Sequence, residues 1–511
     1  GERQHILVFR NVSTRYLVIL IEALLGLAML PFNVRHLGPE AYGLWMLTAS
    51  VTVHFSVLDL GYGGAITKFI AEYRARRDAQ ALNEIASTMF VVFGVLGFVV
   101  YAVAVGIAFN LGSLFKITPD QAAVGKWVLL IIGANVAVNF PFSVFGAVVS
   151  GFQRYDANSL VALCSGVLVA LVNVAVLWAG YGLLTLVACT TAVRIFTYFA
   201  YRMNAYRIFP PLRVHPSLFR RTRLREATGF SVYSSIIDWA NKLNYQLDEI
   251  VIGAFMGSAP IAIWAVADRI ASTTQRLTNQ LNGVLFPMIV DSDTTHRTER
   301  LRKVLLEGTR LSLAMVVPIT VAVVVLAHPL VRAWVGSKML GAAPVMQILA
   351  ITVAIRVGNA TATTLLKGAG RVRYLALANI SAGVVNVILS VLLVKPLGLI
   401  GVALGTLIPI ALVSWFVIFP AACQRVAVAP GSAFRRAMWP ALWPALVAAI
   451  CLELTRGISS GTLLAVMAQA ALADLLYLVL FLVAIGRHDR EQYAGKLMDV
   501  ISRRGRLVPA A

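Results

Sequence analysis

The sequence has little charge. Only 13% of its 511 residues are Asp, Glu, Lys or Arg, against roughly 25% in water-soluble domains. Carboxylates are scarcer still, with 23 acidic residues to 44 basic ones. Fifty-nine per cent of the residues are hydrophobic and the mean hydropathy is +0.80, more apolar surface than a soluble fold of this length can bury. Cysteine is nearly absent. Cys164, Cys189, Cys423 and Cys451 form neither a disulfide framework nor a metal-ligand spacing. A Walker A loop, HExxH, GxSxG and a dinucleotide fingerprint are also missing. These absences argue against an enzyme, a secreted disulfide scaffold and a nucleotide-driven pump, and no metal or cofactor is expected. No cleavable signal peptide is evident, because the first apolar run is long and lacks a small-residue cleavage site.

What the chain has instead is length without polarity. Apolar runs of about 20 residues, enough for a helix to cross ~30 Å of hydrocarbon, recur from end to end. They fall at 15–34, 41–64, 86–110, 127–150, 158–179, 183–203, 229–256, 258–285, 309–329, 341–363, 374–394, 398–419, 438–455 and 462–485. The prediction is an all-α polytopic membrane protein of about 14 transmembrane helices. The formal charge of +21 is explained by location. With residue 1 in the cytosol, most lysines and arginines fall in cytosolic segments, which places both termini there by the positive-inside rule. That charge then serves topology and contact with the lipid bilayer. The basic runs lack interleaved aromatics, so no nucleic acid partner is expected.

The chain repeats itself. "HLGPEAYGLWML" (36–47) aligns with "FMGSAPIAIWAV" (255–266) at an offset of 219, pairing Gly38 with Gly257 and Trp45 with Trp264. "SGFQRYDANSLVALCSG" (150–166) aligns with "KGAGRVRYLALANISAG" (367–383) at 217, and "GYGLLTLVACTT" (180–191) with "PLGLIGVALGTL" (396–407) at 216. Six spans per unit make a parallel repeat, with a pseudo-two-fold axis along the membrane normal. The expected organisation is a six-helix lobe at 1–214, a second at 215–425, and two extra helices with a basic tail at 426–511. The Pro-punctuated, arginine-rich segment 204–228 is the expected linker between the lobes.

Polarity inside the spans is unevenly placed. Thr48, Thr52, Ser56, Asp59 and Gly63 share one helical face, and span 8 carries Asp268, Arg269, Ser272, Gln275, Arg276 and Asn279. Span 7 adds Asp238, Asn241, Lys242, Asp248 and Glu249, whereas its repeat mate, span 1, is apolar apart from Glu22. Spans 4 and 10 contribute Asn139 and Arg356, and span 6 contributes Arg194. Polar stripes facing lipid are costly, so these faces turn inward, either as interhelical hydrogen bonding or as the wall of a wet central cavity. Arg269, Arg356, Lys242, Arg276 and Arg194 are the candidate cationic wall. Guanidinium forks suit phosphate oxygens, so the wall suits an anionic ligand. Glu22, Asp59, Asp238 and Asp268 are candidates for ion coupling or gating, with H+ or Na+ as the coupling ion. Asn139, Asn241, Gln275 and Asn279 complete the lining. After Asp59 and its glycines, "AITKFIAEYRARRD" has the pattern of an amphipathic interfacial helix burying Ile66, Phe69, Ile70 and Tyr73.

At this point the sequence resembles a family. "LGPEAYGLWMLTASVTVHFSVLDLGYGGAITKFIAEYRARRD" (37–78), "PLVRAWVGSKMLGAAPVMQILAI" (329–351) and "LLKGAGRVRY" (365–374) look like Wzx-type polysaccharide flippases. These belong to the multidrug/oligosaccharidyl-lipid/polysaccharide exporter superfamily. The resemblance implies two pseudo-symmetric six-helix lobes around a central cavity. It also implies movement of an undecaprenyl-diphosphate-linked oligosaccharide across the bacterial inner membrane by alternating access. A polysaccharide polymerase or chain-length regulator would be a partner by the same token. Two alternatives stay open, a cation-coupled multidrug antiporter and a lipid II flippase. The first calls for a carboxylate-dominated cavity, and the arginine cluster that the second carries in span 1 is replaced here by Glu22.

Overall fold

Gly38 breaks the first helix. The computed structural model describes residues 2–55, 59, 61–229, 231, 247–278, 285, 288–293, 297–458 and 461–485, with backbone alone for 2–17 and 372. Helix α1, Glu2–His54, counts 53 residues, which unbroken would run about 80 Å, far more than a bilayer. At Gly38 the backbone takes φ 78° and ψ 164°, and Pro39 follows. An L side chain rarely adopts that φ, so glycine is the residue that permits the turn. Further helices are α2 (Tyr62–Ala75), α3 (Ala79–Phe109), α4 (Pro119–Gly151), α5 (Tyr155–Trp178), α6 (Leu183–Ile208), α7 (Asp248–Phe255) and α8 (Ser258–Thr278). They continue as α9 (Thr298–Trp334), α10 (Ala342–Gly368), α11 (Val372–Val413), α12 (Trp439–Thr455) and α13 (Leu463–Ala484). Helix α11 breaks in the same manner as α1, at Gly398 with φ 58°.

Ten helices among the described residues are long and apolar enough to cross a membrane. The glycine breaks divide two of them into two runs each, and α8 coincides with the more polar run at 258–285. The all-α polytopic reading therefore holds, and the number of runs is compatible with about 14. Most of the run at 229–256 lies outside the described residues, with α7 as its described end.

The repeat is visible in the backbone. Gly38 and its mate Gly257 both sit at positive φ, 78° and 95°. Gln153 (φ 60°) and its mate Gly370 (φ 75°) make the same left-handed turn at the end of corresponding helices. Helices α3 and α9 begin at Ala79 and Thr298, 219 residues apart. Helices α5 and α11 begin at Tyr155 and Val372, 217 apart. By packing, the chain forms two compact units, Gly1–Ile270 with Ala376–Pro409, and Ala271–Leu375 with Ile410–Ala511. Packing divides the chain by contact, whereas the repeat divides it by sequence kinship.

Helix starts follow local chemistry. The Asp78 carboxylate accepts the Ala81 amide at 2.8 Å and opens α3. Thr118 and Gln121 cap α4 reciprocally, with Pro119 at its first position. The amphipathic prediction for α2 is met: Tyr62, Ala65, Ile66, Phe69, Ile70 and Tyr73 form its buried face. Asp59 stands at its entrance, where its carboxylate accepts the Gly63 amide at 3.2 Å. An anion at the first turn also meets the positive end of the helix dipole.

The arginine-rich segment after α6 is strapped to the start of α3. Asn83 donates to the Pro211 carbonyl and accepts the Arg213 amide. The Ser87 hydroxyl donates to the Arg213 carbonyl and accepts the His215 amide, and Thr88 accepts the Arg220 amide. Side chains then close the strap. Arg223 pairs with Glu84 at 3.1 Å and Glu226 at 3.2 Å, and the Tyr73 hydroxyl donates to Glu226 at 2.7 Å. The Tyr73 bond, followed by the Arg223 contacts, holds the Glu226 carboxyl below the ordinary carboxylate range. Burial foremost, and the bond to Glu226 after it, push Tyr73 up to about 12.

Candidate functional site

Helices α7 and α8 carry Asp248, Glu249, Asp268 and Arg269 of the first unit, and glycines make their approach to α1 possible. A Cβ on Gly43 of α1 would overlap the Ser258 carbonyl at the start of α8. Gly253 of α7 packs against Leu47, Phe115 and Ile261. The Lys116 amide donates to the Gly253 carbonyl at 3.0 Å, and the Ser258 hydroxyl donates to Gln121 at 3.3 Å. With their ends fixed in this way, α7 and α8 lie against α1.

Arg269 of α8 meets α1 at Gly26, where an added Cβ would overlap its guanidinium. The absence of a side chain at Gly26 creates the space this cation occupies. Tyr42, buried and edge-on to Trp45, lies in the field of both Arg269 and Glu249. Glu249 in turn feels Asp268 and Asp248. A cation and three carboxylates thus share one partly buried neighbourhood at α1, α7 and α8.

Asp248 anchors a second, drier network. Its carboxylate accepts the Thr406 hydroxyl at 3.1 and 3.2 Å. Asn386 Oδ1 lies 3.5 Å from the same hydroxyl and accepts the Ser390 hydroxyl at 3.0 Å. The Val402 carbonyl stands 3.3 Å from Thr406 and 3.5 Å from Ser390. Asn386, Ser390 and Thr406 are all buried. The result is a carboxylate, an amide oxygen, two hydroxyls and a carbonyl gathered between α7 and the two halves of α11. Hard oxygen donors of this kind suit a small cation or a proton.

The other predicted residues are placed as follows. In the first unit, Glu22 is exposed on α1 and interacts electrostatically with Tyr201 of α6. Arg194 is exposed on α6 near Tyr198, whose hydroxyl donates to Asn135 at 2.9 Å; Asn139 is exposed on α4. In the second unit, Arg356 is partly buried on α10, Gln275 is partly buried and Arg276 is exposed. Asp238, Asn241, Lys242 and Asn279 lie outside the described residues. The Thr48 and Thr52 hydroxyls donate back to Leu44, Trp45 and Ala49 carbonyls of their own helix, so that part of the stripe is dry.

Several groups stand out only in the structure. Arg310, at the margin of the run 309–329, is buried on α9. Asn386, Ser390 and Thr406 sit singly in apolar runs, and of the network they form the sequence marks only Asp248, one of the polar residues of the run 229–256. The second unit also holds an apolar cavity lined by Leu313, Val317, Ile355, Trp415 and Leu442, with Asn359 donating to the Ser414 carbonyl at its edge. Two π-helical turns, Ser414–Ile418 and Phe434–Met438, contribute to its wall. Such turns re-aim side chains within a helix.

Comparison with known proteins accords with this architecture. The family described as polysaccharide biosynthesis protein matches residues 34–344. The chain is 22% identical over 398 residues to the probable flippase AglR of Haloferax volcanii, covering 76% of this chain and 78% of that protein. It is 23% identical over 347 residues to the succinoglycan biosynthesis transport protein ExoT of Rhizobium meliloti, covering 67% and 65%. Among solved structures, the lipid II flippase MurJ in an inward closed conformation superposes with TM-score 0.72 at 15% identity, covering 91% of this chain and 97% of that one. An inward-facing multidrug resistance MATE transporter superposes at 0.63 and 17% identity, covering 81% and 98%.

Proposed function

The chain belongs to the polysaccharide biosynthesis protein family, and from that membership we propose that it is a flippase for a lipid-linked oligosaccharide. The substrate is an undecaprenyl-diphosphate-linked repeat unit of an O-antigen, capsule or exopolysaccharide. It moves from the cytosolic to the periplasmic leaflet of the bacterial inner membrane by alternating access, and both termini of the protein are cytosolic. The observation that carries this reading is Arg269, whose guanidinium fills the space beside Gly26 in a chain of this family. A guanidinium meeting a diphosphate forms charge-assisted hydrogen bonds that a neutral wall cannot offer. Arg356 and Lys242 are further candidates for the same role. The carboxylates around Arg269 serve to release the anion again, since a site of uncompensated cations would hold it.

Energy comes from an ion gradient in this proposal, with the Asp248 network as the coupling element. Proton or Na+ occupancy there would differ between the two facing states, which is the condition for driving a conformational equilibrium. An antiporter of cations would draw on the same carboxylate, but it leaves the intramembrane arginines without a task. The decisive experiment is reconstitution into vesicles with a fluorescent undecaprenyl-diphosphate oligosaccharide. Protein-dependent movement between leaflets is expected. Movement no faster than in protein-free vesicles, with the protein folded, would refute the flippase reading.

A further inference from the structure

Helix α6 ends in a cationic groove that nothing in the transport cycle described above requires. The groove is formed by Phe199, Arg202, Met203, Tyr206 and Arg207. Phe199 and Met203 are 49% and 52% exposed, and both arginines are exposed. The groove continues an exposed stripe along the same helix, Leu184, Ala188, Ala192, Phe196, Phe199 and Met203, at steps of three and four residues. A membrane helix exposing an apolar stripe of this kind presents it to lipid.

Depth locates the charges. From Leu183 at one end of α6, ~30 Å of hydrocarbon is crossed in about 20 residues, near Met203. Arg202, Tyr206 and Arg207 therefore stand where acyl chains give way to head groups, and the apolar stripe leads directly to them.

The two arginines are also poised differently from their neighbours. Arg76, Arg154, Arg220 and Arg223 each pair with a carboxylate. Among the described residues, neither Arg202 nor Arg207 has a carboxylate partner. Arg202 is instead held over two aromatic faces, 5.9 Å from the Phe145 ring and 5.7 Å from the Tyr206 ring. Cation–π contact fixes the guanidinium while leaving its N–H donors to face outward.

We propose that this groove is a binding site for an anionic phospholipid. The phosphate lies between Arg202 and Arg207, and an acyl chain runs along Met203, Phe199 and Phe196. The occupant is a bilayer phospholipid, by charge complementarity at the head group and by continuity of the apolar stripe with the groove. The proposal rests on α6 spanning the membrane and is independent of the transported substrate.

The test uses the purified full-length protein in detergent micelles doped with phosphatidylcholine and phosphatidylglycerol, with bound lipid counted by native mass spectrometry. Two arginines near an anionic lipid phosphate together contribute roughly 30-fold in affinity. The double substitution Arg202→Gln/Arg207→Gln should lower phosphatidylglycerol retention by about that factor. Arg202→Lys/Arg207→Lys should keep most of it, which separates loss of charge from loss of fold. Arg371→Gln/Arg373→Gln, two exposed arginines elsewhere, is the matched control and should change little. Equal loss in both glutamine doubles, or none in the first, would overturn the site. Displacement of phosphatidylglycerol by stoichiometric undecaprenyl diphosphate would overturn the assignment of the occupant.

Discussion

Ile70 packs so tightly on Gly151 that a Cβ added there would lie 2.5 Å from its side chain. Its counterpart 219 residues on, Ile289, meets Gly368 at 2.6 Å in the same way. The repeat thus preserves a specific knob and hole, in each unit by itself. Overpacking a filled core costs about 1–3 kcal/mol. Gly151→Leu and Gly368→Leu should each lower the midpoint of thermal unfolding in detergent, and Ile70→Ala should restore part of the first loss. Full additivity of Ile70→Ala and Gly151→Leu would show that the two residues do not share the space.

The Asp248–Thr406 bond is the place to look for coupling. Asp248→Asn should make reconstituted transport insensitive to a pH or Na+ gradient. Thr406→Val should leave transport coupled but shift the required ion concentration upward. Unchanged ion dependence in Asp248→Asn would remove the network from the coupling role and return attention to Glu22, whose Gln substitution is the parallel experiment.

Gly26 tests the anion site from the opposite side. Gly26→Val intrudes on the space of the Arg269 guanidinium and should reduce export as Arg269→Ala does, with expression intact. Losing one charge-assisted contact to phosphate costs roughly 1.5–3 kcal/mol of binding, so Arg269→Ala and Arg356→Ala should each raise the apparent substrate requirement tenfold or more. Lysine at either position should retain partial activity. Normal transport by both alanine variants would make these arginines structural.

The strap after α6 should respond to pH at both extremes. Glu226 has its folded pKa lowered, so its contribution is present above the ordinary carboxylate value near 4.3 and fades as pH falls through the lower folded value. Tyr73, raised to about 12, favours the strapped form until pH climbs from about 10 through 12. Pulsed hydrogen exchange should find residues 211–226 protected between these limits and exposed outside them. Glu226→Gln should flatten the acid side.

Asp59 separates capping from charge. Asn at this position still accepts the Gly63 amide, so Asp59→Asn should leave stability nearly unchanged. Asp59→Ala should cost about 1 kcal/mol through the lost cap. Equal losses in the two variants would mean that the negative charge, rather than the acceptor, is what α2 needs.

The sequence made the architecture readable because its signals are periodic and local. The buried face of α2 follows from apolar residues at three- and four-residue spacing, and the repeat from Gly38 and Gly257, which both sit at positive φ. The site was only half legible. Asp248 is one of several polar residues in the run 229–256, but Thr406 is 158 residues away, and single hydroxyls in apolar helices are ordinary packing groups. Nothing in the residue types could say that Gly26 houses Arg269, because the relation is steric and crosses helices. The segment 204–228 had the composition of a loop. Its fixed course depends on Asn83, Ser87 and Thr88, whose bonds to main-chain atoms leave no mark on the sequence they hold.

That last arrangement bears on how such a protein can drift over generations. Asn83, Ser87 and Thr88 grip amides and carbonyls, which every residue between 211 and 220 supplies whatever its side chain, apart from the amide a proline lacks. The strap can therefore exchange its arginines for other residues without changing course, whereas the three small polar residues of α3 cannot be exchanged so freely. Substitution is constrained on α3 and tolerated on the strap, so a stretch with the composition of a loop keeps a fixed course through side chains it does not itself supply.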